Sequence, residues 1–175
     1  MVNNAEIVNL VNQFRQQDIN KADNKQIILD YQNRTTVNDP SDKAQRRFFK
    51  HVDPALLKKN MYRKWIALSN EFVPEVGIEE KDTPKNFMAA VKFSWRNHTK
   101  QAASFFIGTS PEFDLALYTL CFLTRQLNRT CQFEIDGCTF FITSYNFKQR
   151  GKNFIGTIYP VAGQFTNKCR HHNIQ

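Results

Sequence analysis

Residues 110–145 read SPEFDLALYTLCFLTRQLNRTCQFEIDGCTFFITSY, and the rest of the chain is organised around them. Ser110 is a good N-cap. Pro111 suits the first helical position, because its missing N–H would have no partner there. Glu112 and Asp114 place negative charge at the positive end of the helix dipole, and Arg125 and Arg129 place positive charge at the other end. Phe113, Leu117, Leu120, Cys121, Thr124 and Leu127 keep helical spacing. Leu115, Phe122 and Leu123 fall elsewhere round the axis. The pattern predicts a helix that is apolar on more than one face and mostly buried.

A hairpin follows. Asp136-Gly137 is a two-residue type I′ turn signal between alternating segments. It pairs Ile135 with Cys138, Phe133 with Phe140 and Cys131 with Ile142, so six apolar side chains share one face. A slip of one residue would send all of them to the other face, which makes the register well determined. Gln132, Glu134, Thr139, Phe141, Thr143 and Tyr145 occupy the opposite face.

Composition narrows the possibilities further. At 175 residues roughly 70% of the unfolded surface can be buried, so neither a disulfide nor a metal is required for stability. The net charge of +8 favours anionic partners: a nucleic acid, DNA or RNA, or an acidic protein. The start, MVNNAEIVNL, lacks the features of a signal peptide, and no run is apolar and long enough to span a bilayer, so an intracellular site, cytoplasmic or nuclear, is expected. Cys131 and Cys138 lie at opposite ends of the predicted hairpin face, and Cys121 lies in the buried helix. Four free thiols, used as small hydrophobes, are expected.

Along the chain, Asn3 with Glu6 resembles a capping box, starting a helix over about Asn3 to Gln17. A second short helix is predicted through Gln26–Tyr31. From Ser41 or Asp42 a basic helix places Lys43, Arg46, Arg47 and Lys50 on one face. Asp53-Pro54 ends it and caps the next, which carries Leu57, Met61, Trp65, Leu68 and Phe72 inward. Residues 84–97 read as helix or as strand, since Phe87, Ala89, Val91, Phe93 and Trp95 also alternate. The Thr83-Pro84 cap signature favours helix. A strand is expected over Ala102 to Gly108, a basic loop over Asn146 to Asn153, a last strand over Phe154 to Tyr159, and a loose polar tail from Val161. The predicted fold is α+β: a helical N-terminal half packed on a small, mainly antiparallel sheet of about four strands with a central buried helix. The predicted division is a helical subdomain over 1–72, an α+β core over 83–160 and a tail over 161–175.

No GxSxG, HExxH or P-loop is present, and no catalytic constellation stands out. The Gly108-Thr109-Ser110 run is a poor phosphate cradle, because Pro111 removes a donor and Glu112 and Asp114 repel an anion. Cys169-Arg170-His171-His172 falls short of four zinc ligands without distant help, so no metal or cofactor is expected. The remaining signal is basic and aromatic. Lys43, Arg46, Arg47 and Lys50 form one patch. Lys148, Arg150 and Lys152 form another, in a stretch with no acid from Gly137 onward. Phe141 and Tyr145 share the second sheet face and are placed to stack bases. The resulting expectation is a nucleic-acid-binding protein without catalysis. The alternative is a protein-interaction module, such as an adaptor or a host-directed effector, that meets an acidic partner.

Overall fold

The computed structural model describes residues 2–23, 25–30, 38, 46, 49–59, 62, 75–78, 87–95, 98–125 and 130–172. The chain divides into two compact units, one formed by Met1–Ile19 with Glu112–Gln175 and the other by Asn20–Pro111.

The first unit begins with helix α1 (Asn4–Gln16), capped as its sequence implies. The Asn3 side chain accepts from the Glu6 N–H at 2.9 Å, and the Glu6 carboxylate accepts from the Asn3 N–H at 2.7 Å. Two otherwise unpaired helix-end donors are thereby satisfied. The helix packs against strand β6 (Cys131–Ile135), and its fully buried residues are Ile7 and Val11. Strands β6, β7 (Cys138–Gln149) and β8 (Lys152–Ala162) form an antiparallel sheet in that order.

The β6–β7 register is the predicted one, with Cys131 opposite Ile142, Phe133 opposite Phe140 and Ile135 opposite Cys138. All six side chains are buried, and the Phe133 and Phe140 rings stack with centroids 6.0 Å apart. Asp136 and Gly137 make the turn with φ of +49° and +77°, the left-handed pair that a type I′ turn requires. Gly137 is needed twice over, because a Cβ there would meet the Lys168 side chain at 2.7 Å.

Helix α3 (Pro111–Thr124) departs from expectation: it buries the narrow stripe Phe113, Leu117 and Cys121, while Leu115 and Leu123 stand exposed. A stripe spaced by four residues covers only one side of a helix. At its end the buried Arg125 donates to the Val2 carbonyl at 2.6 Å and to the Asn4 side chain at 2.7 Å, joining the end of α3 to the start of α1.

The free-thiol expectation is overturned. Cys121 is bonded to Cys131, and Cys138 to Cys169, with Cα separations of 5.5 and 4.5 Å. Cys131 and Cys138 do not bridge each other. Their partners come from outside the hairpin, one from α3 and one from helix α4 (Asn167–His172). The tail expected to be loose is therefore pinned, and the Thr166 hydroxyl also donates to the Gly137 carbonyl at 3.3 Å. The intracellular expectation therefore draws no support from reduced thiols.

In the second unit, strands β1 (Ile27–Leu29) and β2 (Phe49–Val52) form a two-stranded antiparallel sheet. Strands β3 (Glu75–Ile78), β4 (Met88–Trp95) and β5 (His98–Phe106) form a three-stranded one, with β4 central. Gln26–Tyr31 is thus not helical across Ile27–Leu29, where the β-branched pair suits a strand. The predicted basic helix likewise gives way to strand at Phe49–Val52. In residues 84–97 the alternation at 88–95 prevails over the cap signature, because β4 has pairing partners on both sides. Asp53 does cap helix α2 (Pro54–Lys58), accepting from the Ala55 N–H at 2.8 Å. That hydrogen bond, and then one from Gln26, hold the Asp53 carboxyl below the usual carboxylate range.

The α+β class stands, with mixed helices and antiparallel sheets. The single four-stranded sheet under a helical N-terminal half does not: the described residues form three small sheets of two, three and three strands. Chain order explains this, since strands are interleaved with helices throughout.

Non-reducing peptide mapping is expected to recover Cys121–Cys131 and Cys138–Cys169, and four alkylatable thiols would contradict the fold. The closed loops span 10 and 31 residues. Replacing each pair with serine is expected to cost up to about 3 and about 4 kcal/mol respectively on denaturant unfolding. Phe140→Ala is expected to cost about 3–5 kcal/mol, the range for large core truncations.

Candidate nucleic-acid interface

Alternation along β7 sends Phe140 and Ile142 inward and leaves Phe141, Thr143 and Tyr145 on the other face. The β7–β8 register adds Val161 opposite Phe141, Tyr159 opposite Thr143 and Thr157 opposite Tyr145. Phe141 and Tyr159 are half-buried, and Tyr145 is 55% exposed. The Tyr145 and Tyr159 rings stack across the strands with centroids 6.4 Å apart and planes at 25°. Partial burial, then a hydrogen bond with Tyr145 and that residue's charge on ionising, hold the Tyr159 phenol above its ordinary range. Tyr159 therefore remains a neutral donor through neutral pH. This face offers aromatic rings and hydroxyls together.

Only Cys138–Ile142 of β7 pairs with β6, so beyond it β7 and β8 continue as a two-stranded ribbon. The basic loop expected over Asn146–Asn153 is in fact paired strand, closed by Arg150-Gly151, with Gln149 opposite Lys152. Lys148, Arg150 and Lys152 are exposed there. Phe147 and Phe154, opposite each other, are also exposed.

The other predicted patch is not assembled as a helical face. Lys43 and Arg47 lie outside the described residues. Arg46 makes a two-point ion pair with Asp30, at 2.7 and 3.1 Å, and that hydrogen bonding, with the attraction of the carboxylate, raises its pKa. A guanidinium already matched to a carboxylate is a weaker phosphate ligand. Lys50 is exposed on β2 in the second unit. Of the histidines whose side chains are described, His51 stands on β2 and His98 on β5, both exposed and on different sheets. Among the described residues no cluster of three or more metal-ligating side chains occurs.

Tyr159, Phe147 and Phe154 were not singled out from sequence. The signal was present in the spacing: a two-residue turn at Arg150-Gly151 places all three by register, as Asp136-Gly137 does for the first hairpin.

A family profile described as Endoribonuclease XendoU matches residues 6–89 and 80–160. The chain belongs to the XendoU endoribonuclease family. It is similar to the uridylate-specific endoribonuclease of Mus musculus, at 30% identity over 135 residues, covering 70% of this chain and 32% of that protein. It is also similar to uridylate-specific endoribonuclease B of Danio rerio, at 42% over 81 residues, covering 46% of this chain and 27% of that one. For uridylate-specific endoribonuclease C of Xenopus laevis the figures are 38% over 76 residues, 41% and 25%. The chain thus spans between a quarter and a third of the length of these relatives. The fold is similar to that of a solved structure titled "The structure of XendoU: a splicing independent snoRNA processing endoribonuclease", with TM-score 0.65, 15% identity, and 94% of this chain and 99% of that one covered. In this XendoU-family chain the second match takes in all of β7 and most of β8.

The tyrosine pair has a measurable signature. Tyr145→Phe is expected to lower the Tyr159 ionisation midpoint towards the ordinary tyrosine value of about 10, read by ultraviolet titration of phenolate. Because the folded state holds the Tyr159 proton more tightly, its contribution to stability is complete below about pH 10 and is lost as pH rises through the folded midpoint. An unchanged midpoint in Tyr145→Phe would show that the two hydroxyls are not coupled.

Proposed function

We propose that this chain acts on RNA, holding a single strand across the β7–β8 face that carries Phe141, Tyr145 and Tyr159 during endonucleolytic processing. The observation that carries the reading is the family match over residues 6–89 and 80–160. The exposed Tyr145 ring and the half-buried Phe141 and Tyr159 rings supply surfaces for unpaired bases, and Lys148, Arg150 and Lys152 supply countercharge for phosphates. The names of the relatives describe uridylate-specific RNA cleavage, so a uridine-rich strand is the substrate proposed here. Those names describe no acidic protein partner, and the interaction-module alternative is set aside.

The expectation of nucleic-acid binding without catalysis finds no support in the family, whose description and relatives' names are those of endoribonucleases. It is kept as the alternative outcome of the test.

The two readings separate in one experiment. A fluorescent uridine-rich single-stranded RNA is titrated across a salt series, and the same mixtures are run on a denaturing gel. Affinity is expected to fall with salt at a log–log slope of about 0.7 per phosphate contacted. Phe141→Ala and Tyr145→Ala are each expected to weaken binding by about tenfold, as loss of one stacked base does. Shortened products support the endonuclease reading, and binding with the RNA intact supports the alternative. No binding at low salt overturns both.

A further inference from the structure

The distal ribbon has features that the fold does not explain. From Asn146 to Ile155 the two strands pair only with each other, and both faces are exposed. A free two-stranded hairpin in water gains little from its own packing. Even so, Phe147 and Phe154 stand directly opposite each other at 54% and 46% exposure, and Ile155, on the other face of the ribbon, is 41% exposed.

The tip is also strained. Arg150 and Gly151 adopt φ of +49° and +74°, so the turn is of the left-handed kind that favours asparagine, aspartate or glycine at its first position. An arginine there is disfavoured by its Cβ. Strain of this kind persists where a side chain is wanted for another purpose. Here it sets a guanidinium at the tip, between Lys148 and Lys152, and none of the three has a described ion pair.

We propose that the distal β7–β8 ribbon extends the Phe141–Tyr145–Tyr159 face into a single-strand RNA grip at its tip, since alternation along β7 puts Phe147 on the same side as Phe141 and Tyr145. Phe147 and Phe154 stack an unpaired base, and Lys148, Arg150 and Lys152 hold the phosphates beside it. This rests on the RNA reading above. Charge selects the occupant, since the chain carries no acid from Gly137 to Gln175 and five basic residues in that stretch. A second copy would bring the same basic ribbon against this one, and like charges opposed across strands repel. Stacking selects an unpaired strand, because a duplex keeps its bases stacked inside.

Two variants test the grip against wild type, on the same uridine-rich sequence as a single strand and as a duplex. Arg150→Asn suits the turn better, so its thermal midpoint is expected to hold or rise while single-strand affinity falls about threefold and the salt slope drops by about 0.7. The double variant Phe147→Thr with Phe154→Thr, which retains strand-forming residues, is expected to lose about tenfold on the single strand and little on the duplex. If wild type binds single-stranded RNA and both variants match it, the ribbon grip is overturned while the RNA reading stands. Equal losses on duplex and single strand overturn the stacking role. A wild-type protein that binds neither RNA removes the RNA reading itself. Sedimentation of each sample shows the oligomeric state, and a dimer that the variants dissociate overturns the grip in favour of a second copy.

Discussion

The register between β6 and β7 is the constraint on which the first unit depends. Six apolar side chains share one face only if Asp136 and Gly137 turn the chain in two residues, and both accept the left-handed backbone this needs. Once Phe133 faces Phe140, Cys131 is carried to where Cys121 of α3 can reach it, and Cys138 to where Cys169 can. The disulfides thus secure an arrangement that hydrophobic pairing has already specified. The same alternation presents Phe141 and Tyr145 on the opposite face, so core and candidate interface follow from one register.

Where residues carried two mutually supporting signals, the sequence was readable. The α1 capping box joined a reciprocal pair of side chains to an apolar stripe, and the Asp-Gly turn joined alternation to a turn type. Single signals misled. Ile27 and Ile28 suit either structure in a short run, and only pairing with β2 decides for strand. At Met88–Trp95 the alternation was visible but was outweighed by a cap signature at residues that lie outside those described. The cysteines failed for another reason. Their pairing joins residues 10 and 31 apart in sequence, and only the path of the chain through space brings them together.

Of the candidate site, the aromatic half was legible and the basic half only partly so. Phe141 and Tyr145 follow from period-two alternation. Tyr159 required the register of a second hairpin whose turn, Arg-Gly, lacks the usual Asn-Gly or Asp-Gly form. The basic stripe presumed helical spacing through Lys50, which a strand does not keep. Charge counted from sequence also ignores pairing, and Asp30 compensates Arg46 in a way that no local pattern announces. Family membership was not read from the sequence, and the match that shows it extends over residues 6–89 and 80–160.

The two turns that bound β7 share a backbone geometry and differ in everything around it. At Asp136-Gly137 the residues are those the turn prefers, the Lys168 side chain closes over the glycine, the Thr166 hydroxyl donates to its carbonyl, and the neighbouring Cys138 is bonded to Cys169. At Arg150-Gly151 the first residue is disfavoured, nothing lies within 4 Å of where a glycine Cβ would stand, and the flanking side chains are exposed. Acidic residues follow the same division: Glu134 and Asp136 belong to the first end, and the second has none. The strand is thus anchored at one end and open at the other. Its free end tolerates an unfavourable turn because the stability of the unit is generated elsewhere, among Phe133, Phe140 and the two disulfides. The cationic tip is thus kept apart from the core along a single strand, and its charges cost the core nothing.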